Sequence, residues 1–149
     1  MIFIIDGNNV IGKDRQLMKI WKKDKQLVRE KLALILEDSF CDSRNKVFLH
    51  YDGFENLSIK TSKVKIIYSN KKTADDLIRK QIENSDSPKN ITLITSDISL
   101  VEFARVCRCK VLSSEEYLSV LKRSKKDEEK GKIESMNNIE EFKKIFGVK

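Results

Sequence analysis

IFIIDGNNVIG, residues 2–12, opens on four apolar residues that end abruptly at Asp6 and a Gly7 turn. A run this short, apolar on both faces and rich in isoleucine, predicts a strand buried inside a parallel sheet. The pattern recurs along the chain. Val47–Tyr51, Val64–Tyr68 and Ile91–Thr95 are short runs rich in β-branched residues, and Lys110–Leu112 adds a fifth. Between them the apolar spacing turns helical. Leu27, Leu32, Ile35 and Leu36 mark Gln26–Phe40; Ala74, Ile78 and Ile82 recur at every fourth position; Leu100, Phe103 and Ala104 follow Asp97. Pro88 and its polar neighbours, residues 84–90, read as a loop. Strands alternating with helices predict an α/β fold in three layers, α/β/α, around a central, mainly parallel sheet.

The candidate chemistry gathers at the strand ends. Asp6 follows the first strand, Asp52 the second (VFLHYD) and Asp97 the fourth (ITLITSD), while Asp75 lies just past the third, in the first turn of a helix. Parallel strands share one carboxyl edge, where open sheets bind ligands, so four carboxylates are expected to converge on one rim. Each also has a structural job open to it. Asp97 can cap a helix, Asp75 can complement a helix dipole, and Asp6 and Asp52 can form turns beside Gly7 and Gly53. As a cluster, however, they repel and raise one another's pKa unless something positive lies between them. Hard ions such as Mg²⁺ or Mn²⁺ take oxygen ligands, and a carboxylate ring around one or two of them is a device for phosphodiester hydrolysis.

That chemistry needs no histidine, serine or cysteine nucleophile, which suits what the chain lacks. His50 is the single histidine, and its place in a strand reads as a hydrogen-bonded structural residue. Neither G-x-x-x-x-G-K-[ST] nor G-x-G-x-x-G occurs, which excludes the common nucleotide cradles. Cys107-x-Cys109 lacks enough further zinc ligands even with Cys41, so buried free thiols are expected. No stretch approaches the ~20 apolar residues of a membrane span. Asp6 interrupts the opening run too early for a signal peptide, and a reduced, soluble, cytoplasmic protein is expected.

The chain has 149 residues, 36% of them charged, with a formal net charge of +7. The length suits one domain, and the charge points to an acidic partner such as nucleic acid. Leu57 to Lys72 holds five lysines and no acidic residue. Of these, Lys60, Lys63, Lys71 and Lys72 flank Asp52 and Asp75, where they could grip a phosphate backbone; the alternative is a solvated face. The chain divides into a domain at 1–121 and, at 122–149, a charged linker (KRSKKDEEKGK) followed by a helix over Ile139–Phe146 that docks back on the domain.

IFIIDGNNVIG also resembles the opening strand and D-G-x-N turn of the PIN-like NYN nucleases, especially their bacterial YacP-like branch. YDG at 51–53, TADDLI at 73–78 and ITLITSDISLVEFAR at 91–105 follow in that family's order. VLSSEEYLSVL at 111–121 is similar to its closing strand and helix, and IEEFKKIFG at 139–147 to its terminal helix. The resemblance implies a PIN-like fold and a metal-dependent endoribonuclease acting on RNA, in some relatives on ribosome-associated mRNA. By motif it implies a catalytic set of Asp6, Asp75, Asp97 and Asn9, with Asn9 orienting the site. It implies Asp6, Asp52, Asp75 and Asp97 as ligands of Mg²⁺ or Mn²⁺, the catalytic share of Asp52 being open. Two departures stand out. Asn8 sits where a tyrosine is frequent, and Arg105–Lys110 carries no glycine where relatives do.

Two other functions remain open from the residues. A non-catalytic RNA- or ribosome-binding module would explain the lysines but not the carboxylates. A phosphatase with Asp6 as nucleophile wants a second acid at position 8, held here by Asn8. Between the adjacent acids of T-A-D-D, helical phase puts Asp75 on the flank of the buried stripe of Ala74, Ile78 and Ile82, and Asp76 toward solvent as a capping-box partner of Thr73.

Overall fold

β1 (Ile2–Asp6), β2 (Lys46–Tyr51), β3 (Val64–Tyr68), β4 (Ile91–Ile94) and β5 (Lys110–Leu112) form one sheet in the order β3-β2-β1-β4-β5. Every neighbouring pair is parallel. The computed structural model describes residues 1–130, with side chains through Ser124. Each expected strand is present to within one residue at either end.

Helices cover both faces, which is why the central strand is apolar from Ile2 to Ile5. Phe3 and Ile5 of β1 point into one layer, against Val28, Leu32, Leu36 and Phe40 of α3 (Lys25–Phe40) and Tyr117 and Leu118 of α6 (Ser114–Lys130). Ile4 points into the other, against Ile78 and Ile82 of α4 (Ala74–Glu83) and Leu100 and Ala104 of α5 (Ile98–Val106). Each fully buried Ile or Leu in these layers contributes roughly 1.5–3 kcal/mol relative to exposure. Helix starts are set by short oxygen-bearing side chains that accept otherwise orphaned amides. Asp14 caps α2 (Arg15–Trp21), Asp24 caps α3, Thr73 caps α4 and Asp97 caps α5. Neither α1 (Gly7–Gly12) nor α2 was evident from apolar spacing, since they span only six and seven residues.

Past α5, Arg108 adopts φ 68°, the left-handed conformation that glycine ordinarily supplies. The departure from the family pattern at Arg105–Lys110 is therefore absorbed in the backbone, at a cost of about 1–2 kcal/mol. The charged run after Leu121 continues α6 without interruption to Lys130, so the expected boundary at 121/122 falls within a helix. The expected terminal helix over Ile139–Phe146 lies outside the described residues. Among the described residues, no helix is long and apolar enough to cross a membrane.

The strand order places the site. From β1 the chain steps outward through β2 to β3, then returns to the opposite side of β1 for β4 and β5. The direction reverses between β1 and β4, and the crevice outside their carboxyl ends is where open parallel sheets receive ligands.

Candidate active site

β1 runs into α1 with no intervening loop, so Asp6 ends the strand and Gly7 begins the helix. A side chain at position 7 has no room: a Cβ there would lie 2.5 Å from Tyr51 Cε1 and 2.8 Å from the His50 carbonyl. This close approach lets the two following asparagines reach neighbouring strand ends. Asn8 Oδ1 accepts from the Asp52 amide at 2.9 Å, tying the β1 turn to β2. Asn9 Oδ1 accepts from the Ser96 amide at 2.9 Å and the Ser114 hydroxyl at 2.7 Å, tying it to β4 and α6. Asn8, a departure from the family pattern, thus has a structural task.

Of the four candidate carboxylates Asp6 is the buried one, 9% exposed. Its Oδ2 accepts from the Thr95 hydroxyl at 3.0 Å, and the Thr95 oxygen in turn accepts from the Asp97 amide at 3.2 Å. Burial pushes the Asp6 carboxyl up to about 6, and the negative charges of Asp52 and Asp97 push the same way. The Thr95 hydroxyl and the Asn9 amide oppose the shift without cancelling it.

The other three carboxylates have found partners. Asp97 Oδ1 accepts from the Leu100 amide at 3.0 Å as the cap of α5. Asp52 Oδ1 accepts from the Ala74 amide at 2.7 Å, joining the β2 end to the start of α4. Asp75 is half-buried and receives Arg79 Nε on Oδ1 at 2.5 Å, while Arg79 Nη2 donates to the Ser99 hydroxyl of α5. Asp76 is exposed, the phase expected from T-A-D-D, and the cap that forms is the Thr73 hydroxyl accepting from the Asp76 amide. Asp52 and Asp97 therefore lie within electrostatic reach of Asp6; Asp75 shares the rim but is turned to Arg79.

Among the described residues, no group of three histidine, cysteine or acidic side chains stands close enough to hold a metal ion. The expected convergence is a shared rim rather than a closed ring. The donor chemistry nonetheless fits a hard divalent ion. Around Asp6 the side chains offer carboxylate, amide and hydroxyl oxygens; His50 is its cross-strand partner, with Nε2 turned to Gln81, and Asp6 is a buried acid in need of positive charge.

The four candidate lysines divide between two edges. Lys71 and Lys72 are exposed on the turn after β3, and that turn is joined to the rim where the Asn70 amide donates to the Gly53 carbonyl at 2.8 Å. Lys63 precedes β3 at the opposite edge, with its ammonium on the Ser43 carbonyl and its amide on Glu37. Lys60 is exposed in the loop leading there. His50 is 1% exposed, with Nε2 2.8 Å from Gln81 Oε1, and burial holds its pKa down. Cys109 is buried and its thiol pushed up to about 11, whereas Cys41 is exposed at the end of α3, against the expectation of buried thiols.

Thr95, Ser96 and Glu115 were not singled out from the sequence. The Ser96 hydroxyl donates to Glu115 and accepts from the Ser114 amide, linking β4 to the first turn of α6. The T-S-D tripeptide was their signal, since two hydroxyls beside a strand-end aspartate can bridge it to neighbours. An open cleft of about 370 Å³, lined in part by Thr95, Ser96, Ile98, Arg105 and Glu115, adjoins this corner beside Asp97.

Comparison with known proteins agrees with this architecture. A family model described as the YacP-like NYN domain matches residues 3–145. The crystal structure of Rae1 (YacP) from Bacillus subtilis superposes with a TM-score of 0.70 at 22% identity, covering 97% of this chain and 86% of that one. A point mutant of the same protein gives 0.71 at 21% identity, covering 84% and 77%. At that identity the likeness is one of fold. No curated protein matches the chain significantly.

Proposed function

Because the chain belongs to the YacP-like NYN domain family, we propose that it is a metal-dependent endoribonuclease that hydrolyses RNA phosphodiester bonds. RNA engaged on the ribosome is the substrate to which the family resemblance points. The observation that carries the reading is Asp6, a carboxylate buried at the reversal point of a parallel sheet, pushed up to about 6 with Asp52 and Asp97 beside it.

Asp6, Asp52, Asp75 and Asp97 are the residues that would hold Mg²⁺ or Mn²⁺. The ion would supply a Lewis acid that lowers the pKa of a bound water and offsets charge on the phosphoryl group. Thr95 holds one Asp6 oxygen and the Asp97 amide, keeping the β1 and β4 carboxylates in register. Asn9 fixes the β4 turn that carries Asp97. Lys71 and Lys72, on the same rim, would meet the phosphate backbone.

One observation favours a non-catalytic RNA- or ribosome-binding module instead: no preformed three-ligand cluster stands among the described residues. Incubating wild type and Asp6→Asn with mixed single-stranded and structured RNAs, with Mg²⁺, Mn²⁺ or chelator, separates the two. Cleavage that chelator and Asp6→Asn both abolish is the expected result; RNA binding without cleavage under any metal returns the chain to the binding module.

A further inference from the structure

The loop from Asp52 to Lys63 presents two large apolar side chains to water, Phe54 and Leu57, each 61% exposed. A loose loop would explain such exposure, but this backbone is fixed. Three consecutive carbonyls are held: Asp52 O accepts from Arg29 Nη2 at 2.7 Å, Gly53 O from the Asn70 amide at 2.8 Å, and Phe54 O from Arg29 Nη1 at 3.0 Å. Gly53 has φ 88° and donates its amide to Ser69 Oγ at 2.9 Å. Arg29 is itself braced, its guanidinium 5.4 Å from both the Tyr51 and Tyr68 rings. Farther along, Gln26 Nε2 donates to the Leu57 carbonyl at 3.0 Å. The chain thus orders a tight turn and leaves a phenyl ring in solvent, two residues from Asp52.

The turn to which it is bonded carries Lys71 and Lys72, both exposed. An aromatic face beside cations, on a preorganised backbone, is the combination that holds single-stranded nucleic acid: bases stack on the ring while lysines meet the phosphates. We propose that Phe54 is a stacking platform for a base of single-stranded RNA, with Lys71 and Lys72 on the backbone of the same strand. The proposal deepens the nuclease reading and rests on it for the identity of the ligand. A ring stacks on any base, so the platform holds the strand near the rim without reading its sequence.

The test uses the full chain in chelator and a 12-nucleotide single-stranded RNA carrying one 2-aminopurine, whose fluorescence falls on stacking. Phe54→Leu keeps apolar bulk and removes the aromatic face; Phe54→Trp restores and enlarges it. Loss of a base stack weakens binding by about fivefold or more. Phe54→Leu should therefore raise Kd by at least that factor and abolish the quench, Phe54→Trp should retain both, and neither should change the slope of log K against log salt, which counts phosphate contacts. Melting temperatures matching wild type confirm that the exposed position leaves the fold alone. Equal affinity and quench for all three proteins overturns the platform and leaves Phe54 to a protein contact. Cleavage assays with Mn²⁺ run alongside keep the two readings apart. Cleavage by wild type together with Phe54-independent binding overturns the platform alone; Phe54-dependent binding without cleavage supports the platform and removes the nuclease; a wild type that binds no RNA overturns both.

Discussion

Replacing Asp6 by Asn should stabilise the metal-free protein. The native carboxyl is raised from an ordinary 3.8 to about 6, chiefly by burial. At about 1.36 kcal/mol for each tenfold change in acid constant, ionised Asp6 costs the fold about 3 kcal/mol at pH 7.5. The sign follows from proton linkage. Between pH 3.8 and about 6 the native state holds a proton that the unfolded chain releases. Stability from this group is therefore fully present below pH 3.8, and it is lost as pH rises through about 6. Asparagine removes the charge and keeps an acceptor for the Thr95 hydroxyl, but its amide nitrogen would set a second donor against the nearby Asn9 amide, a cost of about 1–2 kcal/mol. The net gain is about 1–2 kcal/mol at pH 7.5, or roughly 2–8 °C in melting temperature for a chain of this size. At pH 4.5 the native Asp6 is already protonated and the gain should vanish. Thermal unfolding in chelator at both pH values measures it, and millimolar Mn²⁺ adds a third arm: it should raise the wild-type midpoint and leave Asp6→Asn unmoved. A variant no more stable than wild type at pH 7.5, or one whose advantage is the same at pH 4.5, would refute the reasoning.

Three further outcomes are expected. Asp75→Asn should lower RNA cleavage more than about 100-fold with little change in folding, while Asp76→Asn keeps most activity and costs at most about 1 kcal/mol, the scale of a lost cap; an inactive Asp76→Asn beside an active Asp75→Asn would contradict the helix phase. Gly7→Ala should destabilise by about 1–3 kcal/mol or more in denaturant unfolding, because the new Cβ meets buried Tyr51 and the His50 carbonyl; a near-neutral effect would mean that the β1 turn moves aside easily. Lys71→Ala with Lys72→Ala should weaken RNA binding at low salt and flatten its salt dependence by about two phosphate contacts, whereas Lys63→Ala should leave that slope unchanged.

The strands and the acidic rim were legible because their signals are local. A parallel strand buried on both faces is apolar along nearly its whole length, as β1 is from Ile2 to Ile5 and β4 is but for Thr92, and the residue that ends it lies at the carboxyl edge. The division of the lysines was not legible. Lys63 and Lys71 stand eight positions apart in the chain, but β3 lies between them and carries them to opposite edges of the sheet. Charge counting sees proximity in sequence, whereas five extended residues span about 17 Å. The short helices after β1 were hidden for a related reason. α1 gets its place from the Gly7 approach to Tyr51 and from the asparagine bonds to β2, β4 and α6, all long-range contacts that apolar spacing within 7–12 cannot report.

The four aspartates look equivalent in sequence, each at or near a strand end, yet the fold makes them unequal. Asp52, Asp75 and Asp97 each have an amide or a guanidinium to turn to. Asp6 has the Thr95 hydroxyl and the nearby Asn9 amide, with two negative neighbours and little water. The electrostatic strain of the rim therefore falls mainly on one residue, at the centre of the sheet where the core is best able to bear it. A cation entering there would relieve Asp6 first, and the other carboxylates would exchange partners for it at a cost each set by a single hydrogen bond or ion pair. In such an arrangement the residue that would gain most from a cation is the one that the rest of the fold already holds in place.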